Sequence, residues 1–272
     1  MTMKMNIDKS TFERIVFAAA SANAYVFDSI QDQLELSEQK ILNTVLGPDA
    51  DVDALPVGED VCRYVCLDAF YMAIPSLDLV LTDTGFGIVS NANVSPASKE
   101  RVEALRRQIQ READNALDRI IEGMTGDEKW ASSVYARLLI SSLYYTSAHL
   151  RDFAGKPSAT RTELSELRPQ ISEAEEYIRR EISAVFFESL LQHQRDNSLD
   201  AHELPVVWSL RNAIGFWLNK QLPAFRMELA KVVNLLEAFP EKYPIYQDSE
   251  AYKVKHFEHY KNEKEDTCYF WG

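Results

Sequence analysis

Two stretches of this chain share a layout. Leu55-Pro56-Val57, an apolar run and Ile74-Pro75-Ser76-Leu77-Asp78-Leu79-Val80-Leu81 return as Leu204-Pro205-Val206, another apolar run and Leu222-Pro223-Ala224-Phe225-Arg226-Met227-Glu228-Leu229. Proline removes a backbone donor and restricts the residue before it, so its placement limits where helices can run. The separations from Pro56 to Pro75 and from Pro205 to Pro223 differ by only one residue. The copies agree at apolar and proline positions and disagree at polar ones. What recurs is a packing pattern, not a reactive group, and it predicts a mainly α fold of duplicated helical-bundle units.

Helical periodicity extends this reading. Ile15, Ala18, Ala22, Val26 and Ile30 recur at helical spacing after Ser10, taken as the N-cap, and the helix is expected to end near 34–36. A second helix is expected from Ser37 to Leu46, stopped by Gly47-Pro48. Val61, Cys62, Val65, Cys66, Ala69 and Phe70 stripe a third, which Pro75 should end or kink. Alternation then replaces helical spacing. Leu77, Leu79 and Leu81, the turn Asp83-Thr84-Gly85, and Phe86 and Ile88 predict a β-hairpin insertion over residues 78–90.

Pro96 and Ser98 open a long helix expected to reach Met124, with Val102, Leu105, Ile109, Ala113, Ala116, Leu117, Ile120 and Ile121 as its buried stripe. Trp130 to Phe153 reads as one more apolar helix, and Lys156 to Thr162 as a linker. Ile171, Ala174, Ile178, Ile182 and Phe186 repeat the spacing of the first helix. The expected organisation is a first unit over 1–155, a related unit over 156–238 and an extended aromatic tail over 239–272, with the two units able to share one core. Only the first unit has the hairpin, and only the second ends in Cys268-Tyr269-Phe270-Trp271-Gly272.

Lys+Arg 29 against Asp+Glu 42 gives a net charge of −13, which argues against a protein that grips nucleic acid through its phosphates. No stretch approaches the roughly 20 apolar residues of a membrane span, so no membrane partner is expected, and three cysteines do not make a disulfide framework. The expectation is a soluble protein made in a cytoplasm with reduced thiols.

Each candidate reactive group has a plainer explanation. His256 and His259 lack a defined third metal ligand, with only Cys268 nearby. Cys62 and Cys66, one turn apart among apolar neighbours, read as buried small hydrophobes. His149 with Asp152, and His193 with Asp196, have no strained nucleophile after them and read as helix-end decoration. Gly85-Phe86-Gly87 is a turn, not a phosphate loop. Glu173, Glu175 and Glu176, like Asp114, Asp118 and Glu122, read as solvent-facing carboxylates, since no Glu-x-x-His pair accompanies them. The expectation is no catalytic residue, no metal, no cofactor and no enzyme.

Leu81-Thr82-Asp83-Thr84-Gly85-Phe86-Gly87-Ile88-Val89-Ser90-Asn91 with Asn93-Val94-Ser95-Pro96-Ala97-Ser98-Lys99, and Tyr243-Pro244-Ile245-Tyr246-Gln247-Asp248-Ser249-Glu250-Ala251-Tyr252-Lys253 before an aromatic C-terminus, resemble a family of uncharacterised helical proteins encoded in phage and prophage structural gene clusters. The resemblance implies a virion protein, a head-to-tail connector or neck subunit in a homo-oligomeric ring between portal and tail, with DNA as passing cargo. It carries over no catalytic residue. In a closed ring each subunit offers a projection and a receiving surface. The expected interface residues are Leu79, Leu81, Phe86 and Ile88 of the hairpin and Tyr246, Tyr252, Tyr269, Phe270 and Trp271 of the tail. A helical adaptor that forms no ring shares these features, and a metal-dependent hydrolase through His256 or His259 is the remaining alternative.

Overall fold

The computed structural model describes residues 5–17, 26–77, 79–82, 85–88 and 98–257. The fold is mainly α. A short α1 (Lys9–Ile15) and α2 (Val26–Ser29) precede α3 (Gln31–Ile41), which runs into a π turn at Leu42–Leu46. Gly47, at φ 100°, ends that segment in a conformation open to glycine. Asp8, not Ser10, caps α1, accepting from Thr11 N at 2.7 Å. Ser37 starts no helix either. It is buried in the middle of α3 and donates to Asp68 Oδ2 at 2.8 Å, beside a Lys40 ion pair to the same carboxylate. A serine that finds a tertiary acceptor has no need to cap.

The central helix α4 (Gly58–Leu77) packs between α3 and α5 (Lys99–Met124). It does not stop at Pro75. That proline is exposed in the last turn, where water can satisfy the carbonyl its missing N–H leaves open. Within the span read as a hairpin, β1 (Leu79–Thr82) pairs antiparallel with β2 (Gly85–Ile88), Leu79 opposite Ile88 and Leu81 opposite Phe86. Residues 83–84 and 89–97 lie outside the described residues. Along α5 the expected stripe is buried from Ile109 to Ile121 and partly buried at Val102, Leu105 and Leu117. A Cβ on Gly123 would come within 2.5 Å of Val57, so α5 approaches the start of α4 closely.

Trp130 to Phe153 is three short helices, not one: α6 (Glu128–Ala131), α7 (Val134–Leu139) and α8 (Ser147–Phe153). Local capping breaks the run. Asp127 accepts from Trp130 N, Ser133 from Ala136 N, and Thr146 with His149 closes a capping box. Each side chain offers a helix end a partner that competes with continuation.

After the loop comes α9 (Arg161–Ile182), then α10 (Ala184–Arg195), α11 (Glu203–Leu218) and α12 (Leu222–Ala238). Ile171, Ala174, Ile178, Ile182 and Phe186 are all buried, but a break at Ser183, φ 99°, puts Phe186 on the next helix. Gly215 lets α11 approach α8, since a Cβ there would lie 1.9 Å from the Phe153 carbonyl oxygen.

The proline repeat is only half a structural repeat. Pro56 precedes α4 and Pro205 lies in the first turn of α11, both at helix starts. Pro75, however, sits in the last turn of its helix and Pro223 in the first turn of α12. In the second stretch the chain has already turned, at Asn219 to Gln221 with Lys220 at φ 59°. Nearly equal proline spacing therefore frames one continuous helix in the first case and a helix plus a turn in the second.

Residues 239–257 are not an extended tail. They form a 3-10 turn (Pro240–Lys242), α13 (Pro244–Gln247) and α14 (Glu250–Lys255), and Tyr243 and Tyr246 are buried against Phe186. Two hydrophobic clusters result. One gathers buried residues from Met5 to Ile140, the other from Leu143 to Tyr246, so the apolar core divides between α7 and α8, upstream of the Lys156 loop.

Candidate functional site

Where the two clusters meet, buried polar groups form a seam. Asp118, on the α5 face read as solvent-exposed, is buried. It accepts from Ser147 Oγ, from Ser147 N at 3.0 Å and from Arg161 Nη1 at 2.6 Å, with Arg151 Nη2 at 3.8 Å. Asp114, one turn earlier, accepts from Arg161 N at 2.8 Å. Glu175 is likewise buried and accepts from Ser142 Oγ and Leu143 N, both at 2.8 Å. Burial pushes the Asp114, Glu122 and Glu175 carboxyls up from their ordinary range. Asp118 and Glu175, and in part Asp114, correct the solvent-face reading, because their partners come from α8, α9 and the loop between α7 and α8, far away in sequence; Glu122, Glu173 and Glu176 are exposed as expected.

His149 belongs to the same seam, and its partner is not Asp152. Its Nδ1 accepts from Thr146 N at 3.2 Å and lies 3.0 Å from Thr146 Oγ1. Burial, then the nearby Arg211 and Arg151, hold its pKa well below 6.5, so it is a neutral cap. Arg211 runs under the seam, donating to the Leu143 carbonyl at 3.2 Å with its guanidinium 5.8 Å from the Tyr145 and Phe153 rings. Asp114, Asp118, Glu175, Arg151, Arg161 and Arg211 each have a partner, and the arrangement clamps α5, α8 and α9 together.

The other candidates separate. His193 pairs with Glu203, Nδ1 to Oε1 2.8 Å, and not with Asp196. His256 has both ring nitrogens engaged, Nδ1 with the Tyr252 carbonyl at 3.0 Å and Nε2 with Glu237 at 3.0 Å, and it stacks on Tyr252. His259, Cys268, Tyr269, Phe270 and Trp271 lie outside the described residues. Tyr246, expected at an interface, is instead fully buried in this chain's own core, its hydroxyl donating to Glu237. Tyr252 is partly buried on the same cluster. Leu79, Leu81, Phe86 and Ile88 occupy the paired strands.

A surface absent from the sequence reading lies on α7. Ala136 and Ile140 point into the core, which leaves Val134 (59% exposed) and Leu138 (66% exposed) one turn apart on the outside. A hollow lies on either side. One, of about 220 Å³, has Leu138, Leu139 and Leu164 with Arg168 and with Arg161, which is paired to Asp118; the other, of about 350 Å³, has Leu191 with Arg137 and with Arg195, which is paired to Glu188 in the same lining. Arg168 Nη2 donates to Ser141 Oγ at 2.6 Å and Arg137 Nη2 to the Ser132 carbonyl at 3.3 Å, so neither guanidinium is paired with a carboxylate among the described residues. The signal in the sequence was the serine pair at 132–133, which isolates α7 as a single short helix.

Residues 28–137 match a family of unknown function, DUF6712. The match covers less than half of the chain, beginning in α2 and ending in α7, so that segment is similar to the family and the second hydrophobic cluster falls outside it. No curated protein and no solved structure matches the chain.

Proposed function

We propose that this chain is a structural assembly subunit, a virion protein of the head-to-tail connector or neck type, that docks a second copy of itself on the α7 face. The observation that carries the reading is the exposed Val134 and Leu138 between two arginine-bearing hollows, on a chain of net charge −13. Apolar anchors supply contact area, and unpaired guanidiniums on an otherwise acidic molecule favour an acidic neighbour, which another copy is. The β1–β2 ribbon, with Leu79, Leu81, Phe86 and Ile88, is the projection in this scheme, and repetition of one heterologous contact closes a ring. The acidic surface disfavours DNA backbone binding and suits a lumen through which DNA passes between portal and tail.

Light scattering after size exclusion tests the reading with wild type and Val134→Asp/Leu138→Asp. A wild-type multimer that becomes monomeric in the variant, at unchanged thermal midpoint, is the expected result. A monomeric wild type, or a variant multimer of the same mass, would sink it and leave the ring-free adaptor.

A further inference from the structure

We propose that a hollow between α1, the start of α4 and the C-terminal part of α5 binds a phosphate-type oxyanion, with the Cys62 thiol in its wall. The cavity measures about 520 Å³, and Arg14, Arg63 and Arg119 line it together with Glu59, Asp60 and Cys62. Arg119 Nε donates to Asp60 Oδ1 at 2.7 Å, so that pair neutralises itself. Arg14 and Arg63 make no hydrogen bond or ion pair among the described residues, and Glu59 is the remaining carboxylate. Within the lining, two unpaired guanidiniums against one carboxylate leave an excess of positive charge on a molecule whose sum is −13, with Asp8 the nearby carboxylate outside the lining. Guanidinium forks match the oxygens of phosphate in geometry as well as charge, and a compact dianion engages both arginines at once.

The thiol gives the site a reporter. Cys62 is half-buried and Cys66 fully buried on the same face of α4. The neighbouring Cys66 thiol lowers the Cys62 pKa; burial opposes, Arg14 and Arg63 act in the same direction as Cys66, Asp8 acts against them, and Cys66 is itself pushed up. Of the two thiols, the more acidic one, Cys62, is the one in the wall of the hollow, and its rate of attack senses the local charge.

Alkylation mapped by mass spectrometry tests the inference. Iodoacetate and iodoacetamide form the same S–CH₂ bond with loss of iodide and differ in charge, so an arginine-lined hollow favours the former. We expect the iodoacetate-to-iodoacetamide rate ratio at Cys62 to fall several-fold in Arg14→Gln/Arg63→Gln. Inorganic phosphate should slow the iodoacetate reaction in wild type more than chloride at matched ionic strength. Both arginines are exposed, so the double variant should keep its thermal midpoint. A ratio unchanged in the variant, or phosphate acting no more strongly than chloride, would overturn the site. Should Cys62 react too slowly to follow, titration calorimetry with phosphate decides: saturable heat that the double variant loses supports the site, and none in wild type overturns it. The site does not depend on the assembly reading.

Discussion

Arginines occupy two contrasting regions of this protein. In the seam, Arg161 and Arg151 converge on Asp118 under cover of α8 and α9, and the hydrogen bonds to the carboxylate come from within the chain. On the α7 face, Arg137 and Arg168 stand beside exposed Leu138 and, among the described residues, reach only a carbonyl and a hydroxyl. The same side chain is a clamp where it is desolvated and paired, and an offered contact where it is neither. A buried pair costs much to break because the survivor stays uncompensated, whereas an exposed charge loses little when removed.

The largest effect should come from the seam. Asp118→Ala leaves Arg161 and the Ser147 donors without their acceptor and should destabilise the fold by about 3–5 kcal/mol, read from denaturant unfolding. A loss under about 1 kcal/mol would mean water replaces the carboxylate and would erase the contrast.

The pH dependence sharpens it. His149 has a folded pKa well below 6.5, so the unfolded chain takes up a proton that the folded chain refuses. Stability from this group is present above about pH 6.5 and falls as pH drops below that value. Asp114, Glu122 and Glu175 are shifted upward and work in the opposite sense, binding protons more tightly when folded, which offsets part of the loss at more acidic pH. His149→Gln should flatten the stability profile below about pH 6.5, and an unchanged slope would place the titration elsewhere.

The smallest effect on stability belongs to the α7 face. Arg137→Ala with Arg168→Ala should change unfolding free energy by no more than about 0.5 kcal/mol. The same pair should weaken self-association and its salt dependence. A large loss of stability would make these arginines part of the clamp after all.

Much of the core was legible in the sequence, and for one reason. Helical spacing of apolar residues reports a buried face whatever that face packs against, so the α5 stripe and Ile171, Ala174, Ile178 and Ile182 emerge buried. A glycine stop was legible too, since Gly47 adopts positive φ where its helical segment ends. Polar residues were read less well. Asp118 and Glu175 were read as solvent-facing, Ser37 as the start of a helix and His149 as the partner of Asp152, and partners 29, 32, 31 and 3 residues away respectively decide otherwise. The α7 face escaped because an apolar count over Trp130 to Phe153 does not see that Ser133 and Thr146 divide it.

By itself the sequence determined the helical class, the apolar stripes and the acidic balance, because periodicity and charge are properties of the chain. Tertiary structure decided which end of a helix each proline occupies, which carboxylates are desolvated, and which arginines, among the described residues, have no carboxylate partner. Those outcomes depend on distant groups converging at hydrogen-bond distance, and no local pattern encodes that convergence.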